Sequence, residues 1–207
     1  MEEKLIQLSR SLFSKYGIKS ISMDEISREA GISKKTLYQF FTSKEELVDK
    51  LITQFITEHL ALLEECNNNS GNAVEIISKR VKGPYSLLTE FSPTFYFDLR
   101  KYFPMSWKRV VEHFRSDVQK AIRVNIEKGM EEGLYRNDLN IDFITHLRFH
   151  QLSYSILPVE TTELPQLRPE NIEDLTLHFF YGITTLKGRE LLESVFSKKD
   201  FKEQILA

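Results

Sequence analysis

Apolar residues recur at spacings of three and four along almost the whole chain, the period of amphipathic helices. Leu5, Leu8, Leu12 and Tyr16, with Phe13 alongside, predict a first helix that Gly17 stops. Ser22-Met23-Asp24-Glu25 has the spacing of a capping box and opens a short second helix with Ile26 and Ala30 inward, ending at Gly31. Ser33 is the next N-cap, and Leu37 with Phe41 gives the third helix its buried side. Ser43, with Glu46 three positions on, starts a fourth helix whose Leu47, Leu51, Phe55, Leu62 and Leu63 carry it to about Cys66.

The polar run NNNSGN, Asn67 to Asn72, reads as a linker. A helix then runs to about Phe91, with a kink or break expected at Gly83-Pro84. Ser92-Pro93 and Phe103-Pro104 restart helices, each proline suiting a first turn. Trp107, Val111, Phe114, Val118 and Ile122 predict one long helix from Pro104 to about Glu132, closed by Gly133. Another spans Asp138 to Leu157, and the prolines between Leu157 and Pro169 impose an irregular loop. Asn171 to Lys187 forms the last long helix, which Gly188 breaks before an amphipathic tail of Leu191, Leu192, Val195 and Phe196. With no internal repeat and no strand pair, the expected fold class is all-α.

Composition adds bounds. A chain of 207 residues, 41% apolar and 28% charged, can bury an ordinary core in one large or two small domains. The acidic, then amphipathic N-terminus is unlike a secretory signal, and no apolar run approaches the roughly 18 residues of a membrane span. Cys66 is the only cysteine, which excludes an intrachain disulfide and points to the cytoplasm. The net charge of −2 conceals a local excess, for Arg28, Lys34, Lys35 and Lys44 face only Glu29 between positions 28 and 44. No nucleophile elbow and no phosphate-binding glycine loop is present, so no catalytic residue is assigned and the chain is not expected to be an enzyme.

Helix, a turn at Ala30-Gly31-Ile32-Ser33, then helix is the spacing of a helix-turn-helix, whose second helix enters the DNA major groove. With Leu37 and Phe41 turned inward by period, Lys34, Lys35, Tyr38 and Gln39 fall on the outer surface. The run from Gly17 to Leu47, GIKSISMDEISREAGISKKTLYQFFTSKEEL, resembles the DNA-binding domain of TetR-family transcriptional regulators almost position by position. The match includes the glycine ending helix 1, the Ala-Gly-Ile-Ser turn, the Leu-Tyr-x-x-Phe of helix 3 and the Ser-Lys-Glu that opens helix 4. It departs at Ile21, where Thr is usual, at Ser27, where Ala is usual, and at Phe40, where His or Tyr is frequent.

The resemblance implies a DNA-binding domain over residues 1–47 and a regulatory and dimerisation domain over 48–207, with helix 4, about 44–66, linking them. It makes Lys44 a phosphate-clamping lysine at a helix N-terminus. Ser22 and Tyr38 become neutral phosphate contacts, and Lys34, Lys35, Thr36 and Gln39 candidates for base edges. The expected function is a ligand-responsive dimeric repressor that pairs two such heads on a pseudo-palindromic duplex. Helices 138–157 and 171–187 are apolar on more than one face, and Phe149, Ile156, Phe179, Phe180 and Ile183 are the expected dimer contacts. A small, partly apolar effector is expected among helices 4 to 8, with Phe95, Trp107, His146 and Tyr154 as lining residues. No cofactor, metal or membrane partner is expected. The rival reading is a metal-binding or catalytic bundle that uses Asp142, His146 and His150, spaced i, i+4 on one helix.

Overall fold

The computed structural model describes residues 1–68, 71–153 and 169–196. Its helices are α1 (Glu2–Tyr16), α2 (Met23–Glu29), α3 (Lys34–Phe40), α4 (Lys44–Asn68), α5 (Ala73–Lys82) and α6 (Pro84–Leu88). They continue as α7 (Pro93–Tyr102), α8 (Pro104–His113), a π-helical turn (Phe114–Val118), α9 (Gln119–Glu131), α10 (Ile141–Ser153), α11 (Pro169–Ile183) and α12 (Leu186–Val195). Among the described residues the sole β pairing is an isolated bridge between Tyr135 and Thr184. The chain is all-α, as its periodicity predicts.

The capping signals work as read. Ser22 Oγ accepts the Glu25 amide while the Glu25 carboxylate takes the Ser22 amide, a complete capping box. Ser33 caps α3 through the Thr36 amide, and Ser43 Oγ accepts from Glu46 at the start of α4. Asn72, Ser92 and Thr185 cap α5, α7 and α12 in the same way.

Phe13, Ile18, Ile26, Leu37, Phe41 and Leu47 are fully buried and close the head formed by α1, α2, α3 and the start of α4. The same apolar cluster continues along α4 through Leu51 and Phe55 to Tyr85, Leu88, Phe95, Leu99, Val110 and Phe114 of the body. Each such side chain contributes about 1.5–3 kcal/mol by leaving water. The head is therefore seated on the body by shared core and not by a linker. A second, smaller core gathers Val74, Ile77, Leu134, Tyr135, Phe179, Phe180, Ile183 and Leu192.

Three expectations need correction. The helix from Pro104 is interrupted by the π turn. Its inward residues, Val110, Phe114, Val118, Ile122 and Ile126, are each four apart. Four residues of α-helix overshoot a full turn by about 40°, and the wider π turn takes up that drift. Trp107 and Val111, read as inward, end half-buried at the edge of the line. Secondly, α11 ends at Ile183 and the break falls at Thr184 and Thr185, where Thr185 N–H bonds the Leu134 carbonyl. Gly188 lies inside α12 instead of breaking it. A Cβ there would come within 1.9 Å of the Leu134 carbonyl oxygen, so the glycine permits close approach. Finally, the helix expected over 138–157 begins at Ile141 and is described to Ser153. The loop expected over 157–169 lies almost wholly outside the described residues.

Candidate nucleic-acid interface

The turn between α2 and α3 is held by Ile32 N–H to the Ser27 carbonyl at 3.0 Å. Gly31 adopts φ +66 with open space where a Cβ would stand, so the left-handed backbone, not crowding, calls for glycine. From this turn α3 projects with Leu37 inward at 0% exposure and Lys34, Lys35, Tyr38 and Gln39 exposed. The sequence-predicted outer edge is thus assembled as one surface.

Its free-state partners are more specific than the sequence suggested. Lys34 Nζ lies 2.6 Å from Asp24 on α2, a pairing that holds its ammonium above the ordinary lysine range. Lys35 and Gln39 have no ion pair or side-chain hydrogen bond among the described residues, whereas Thr36 Oγ1 lies 2.8 Å from Ser33 Oγ. The Ser22 hydroxyl donates to Glu25 at 2.7 Å, and these Ser22 bonds draw the Glu25 carboxyl below its usual range. Lys44 is half-buried. Its Nζ donates to the Ile18 carbonyl at 2.5 Å and lies 5.8 Å from the centre of the Phe13 ring. Burial lowers its pKa, while Asp98, Glu45 and Glu25 pull the other way. Asp24 and Glu25 are the residues that sequence reasoning missed. Their place in the capping box hid that both carboxylates face residues of the candidate edge.

Two contacts tie this head to the body. Arg10 of α1 bonds Glu90 through Nε and Nη2, at 2.7 and 2.5 Å, and Glu58 of α4 at 2.6 Å. Asp98 of α7, 4% exposed, accepts the Lys19 amide at 2.7 Å in the loop that also carries Ile18. A groove of about 650 Å³ lies over the Arg10 contact, lined by Gln7, Gln54, Thr57, Glu58 and Glu90.

The body residues expected to line a pocket are not brought together. Phe95 is core, stacked on Phe91 with ring centres 4.0 Å apart. Trp107 is half-buried, and His146 is exposed because α10 turns Thr145, Arg148 and Leu152 inward. Tyr154 lies outside the described residues. The interior polar group that does stand out is His59 of α4, whose Nδ1 is 2.9 Å from His113 Nε2, with His113 Nδ1 2.9 Å from Asp117. Burial first, and His113 second, push His59 down to about 3.

The expected dimer contacts also divide. Phe179, Phe180 and Ile183 are 5%, 2% and 3% exposed, committed to the chain's own second core, and can offer a second subunit little surface. Phe149 is half-buried against the main core, and Ile156 lies outside the described residues. Instead α10 presents Phe143 (64% exposed), His146, Leu147 (41%) and His150, and α11 presents His178 and Tyr181 (40%). The rival metal cluster does not form. Asp142 is turned to Arg123, 2.5 Å away, and no group of three metal-ligating side chains converges among the described residues.

A helix-turn-helix head with an exposed, cation-bearing second helix on an all-helical body defines the class: a DNA-binding regulator. Residues 5–51 match the model of the tetR family of bacterial regulatory proteins. The match covers the helix-turn-helix head and its junction with α4, and the relatives that extend beyond it are regulators. The chain is 24% identical over 144 residues to the transcriptional repressor KstR2 of Mycobacterium tuberculosis, covering 68% of this chain and 72% of that one. Over 185 residues it is 22% identical to the regulator YvaF of Bacillus subtilis, covering 89% and 96%. A TetR-family regulator from Marinobacter aquaeolei superposes with a TM-score of 0.76 at 16% identity, covering 94% and 96%. A regulator from Saccharomonospora viridis, solved with choline, gives 0.70 at 14% identity, covering 89% and 97%. No described helix is long and apolar enough to cross a membrane.

Proposed function

We propose that the chain is a homodimeric repressor released from a pseudo-palindromic operator by a small, partly apolar effector. The observation that carries this reading is the single surface formed by Lys34, Lys35, Tyr38 and Gln39 on a helix fixed by Leu37 and Phe41. On duplex DNA, Lys34 exchanges Asp24 for the nucleic acid and Lys44 exchanges the Ile18 carbonyl for a phosphate, while Tyr38 and Ser22 set register. Gln39, Thr36 and Lys35 meet base edges in this reading. Repression is the role named for the KstR2 relative, which supports the same sign here.

Dimerisation is supported by the two apolar sides of α10. That helix buries Leu152 beside Thr145, Arg148 and Ser153, packs Ile144 and Phe149 on the core, and still shows Phe143 and Leu147 to solvent. A helix that meets its own core and also exposes large apolar groups has a second surface to cover. Residues 1–47 serve as the DNA-binding domain and 48–207 as the sensor, coupled through α4, Arg10 and Asp98. Effector binding favours a dimer whose recognition helices no longer fit successive grooves, and releases DNA only if it prefers that state.

The test is fluorescence anisotropy of the purified chain on genomic duplex fragments, with sedimentation to count subunits. Two chains per site, and loss of binding when Lys35 and Gln39 are both replaced by Ala, support the reading. Unchanged binding in that variant removes α3 from the interface.

A further inference from the structure

Arg148 lies in the middle of α10 and is 1% exposed. Its Nη2 donates to Thr176 Oγ1 at 2.6 Å, and Thr176 gives its own proton to the Ile172 carbonyl. The Tyr85 hydroxyl also acts on the guanidinium as a hydrogen-bond partner, and Nη1 makes long contacts, 3.4 Å to Gln151 Oε1 and 3.5 Å to the Leu175 carbonyl. Its Nε has no partner among the described residues. The rings of Tyr85, Phe179 and Phe180 stand around it, their centres 5.5, 5.3 and 5.9 Å from Cζ. Among the described residues no carboxylate pairs with it.

A guanidinium does not shed its proton, and a buried charge without a counter-charge works against folding. Aromatic faces offset only part of that cost. Arg80 is equally buried and, among the described residues, its Nε is likewise without a partner and no carboxylate pairs with it, but both its terminal nitrogens are well bonded, to the Ala121 carbonyl at 2.9 Å and to Asn67 at 2.8 Å, cross-linking α5 to α9 and the end of α4. Among the described residues Arg148 has one short bond to another helix of the second core, the one to Thr176. Its idle Nε adjoins Nη2, the edge by which a guanidinium grips a carboxylate through two parallel hydrogen bonds.

The geometry points to an effector-anion site in which Arg148 receives the carboxylate of a small aromatic or aliphatic acid, whose apolar part packs among Tyr85, Phe179 and Phe180. A single cation among ring faces suits a monovalent carboxylate better than a phosphate monoester with nearly twice the charge. Phe179, at 5% exposure against 1% for Tyr85 and 2% for Phe180, is the ring nearest solvent and the one an incoming acid displaces. This rests on the effector-responsive reading above, and adds its mechanism. Once the carboxylate shares Nη2, the bond to Thr176 slackens, and α10 shifts against α11, the helices whose outer faces form the proposed dimer contact.

Calorimetric titration of the full chain, without DNA, tests the site apart from the operator reading. The probes are 3-phenylpropionate, octanoate and 1-naphthoate, each against its neutral amide. The expected result is that at least one acid binds about thirtyfold or more tighter than its amide. In R148M that preference disappears and the unliganded protein melts at or above the wild-type temperature, because an uncompensated charge has gone. R148K keeps the charge but not the fork, and falls between. Acids that never outbind their amides overturn the proposal, as does an R148M chain that keeps the preference. An R148M chain that melts well below wild type assigns Arg148 a purely structural role and overturns it too. None of these outcomes bears on whether the head binds duplex DNA.

Discussion

The Asp98 carboxylate on α7 accepts the backbone N–H of Lys19, in the loop after α1, at 2.7 Å. The acid is buried, and its charge also acts on Lys44 at the start of α4. One side chain of the body thus holds the loop on which Lys44 rests through the Ile18 carbonyl. Asp98→Ala leaves the Lys19 amide without its partner and is expected to cost about 1–3 kcal/mol. Hydrogen exchange locates the effect: amides of α2 and α3 should exchange faster while those of α5 and α9 keep their protection. Uniform acceleration along the chain would show that Asp98 serves the whole core instead of the seam.

Lys44→Ala removes both a proposed phosphate contact and a bond to the Ile18 carbonyl. Binding to every duplex sequence should weaken, and the slope of log affinity against log salt should fall by about one unit. Fluorescence anisotropy across a salt series measures it. An unchanged slope means the ammonium stays on Ile18 when DNA is present.

Asp24→Asn frees Lys34 before DNA arrives and removes a negative charge from the edge. Affinity should rise severalfold for all sequences at low salt, by less at high salt. By contrast, Gln39→Ala should relax preference at one base pair by about 1–3 kcal/mol and leave the others alone. Equal loss on every operator variant would remove base reading by Gln39.

Most of the head was legible in the sequence because its signals are local. Ser22 with Glu25, Ser33, Gly31 and the Leu37–Phe41 spacing each act within a turn of helix, and each appears in the structure as read. Partners across helices were not legible. Asp24 reaches Lys34, Asp98 reaches Lys19, and Arg148 reaches Thr176 over separations that no helical period encodes. Apolar patterning also misled at α11. Phe179, Phe180 and Ile183 signal burial in the sequence, but not whether the covering surface belongs to the same chain or to another.

His59 supplies a pH test. Its folded pKa, pushed down to about 3, lies below the ordinary 6.5, so protonation favours the unfolded chain. The associated stability is complete above pH 6.5 and is lost as pH falls toward 3. At pH 5 this amounts to about 2 kcal/mol. Melting curves should show a midpoint falling between pH 7 and 5 in wild type and falling less in His59→Gln. Parallel curves for the two proteins would place the acid sensitivity elsewhere.

The central claim is that α3 enters a duplex twice, once per subunit. Hydroxyl-radical footprinting of the purified chain on a fragment selected from genomic DNA tests it most directly. The account predicts two protected patches on one face of the duplex, centred about one helical turn or a small multiple of it apart, both lost in the variant that replaces Lys35 and Gln39 by Ala. A single patch, or protection that survives in that variant, would contradict it.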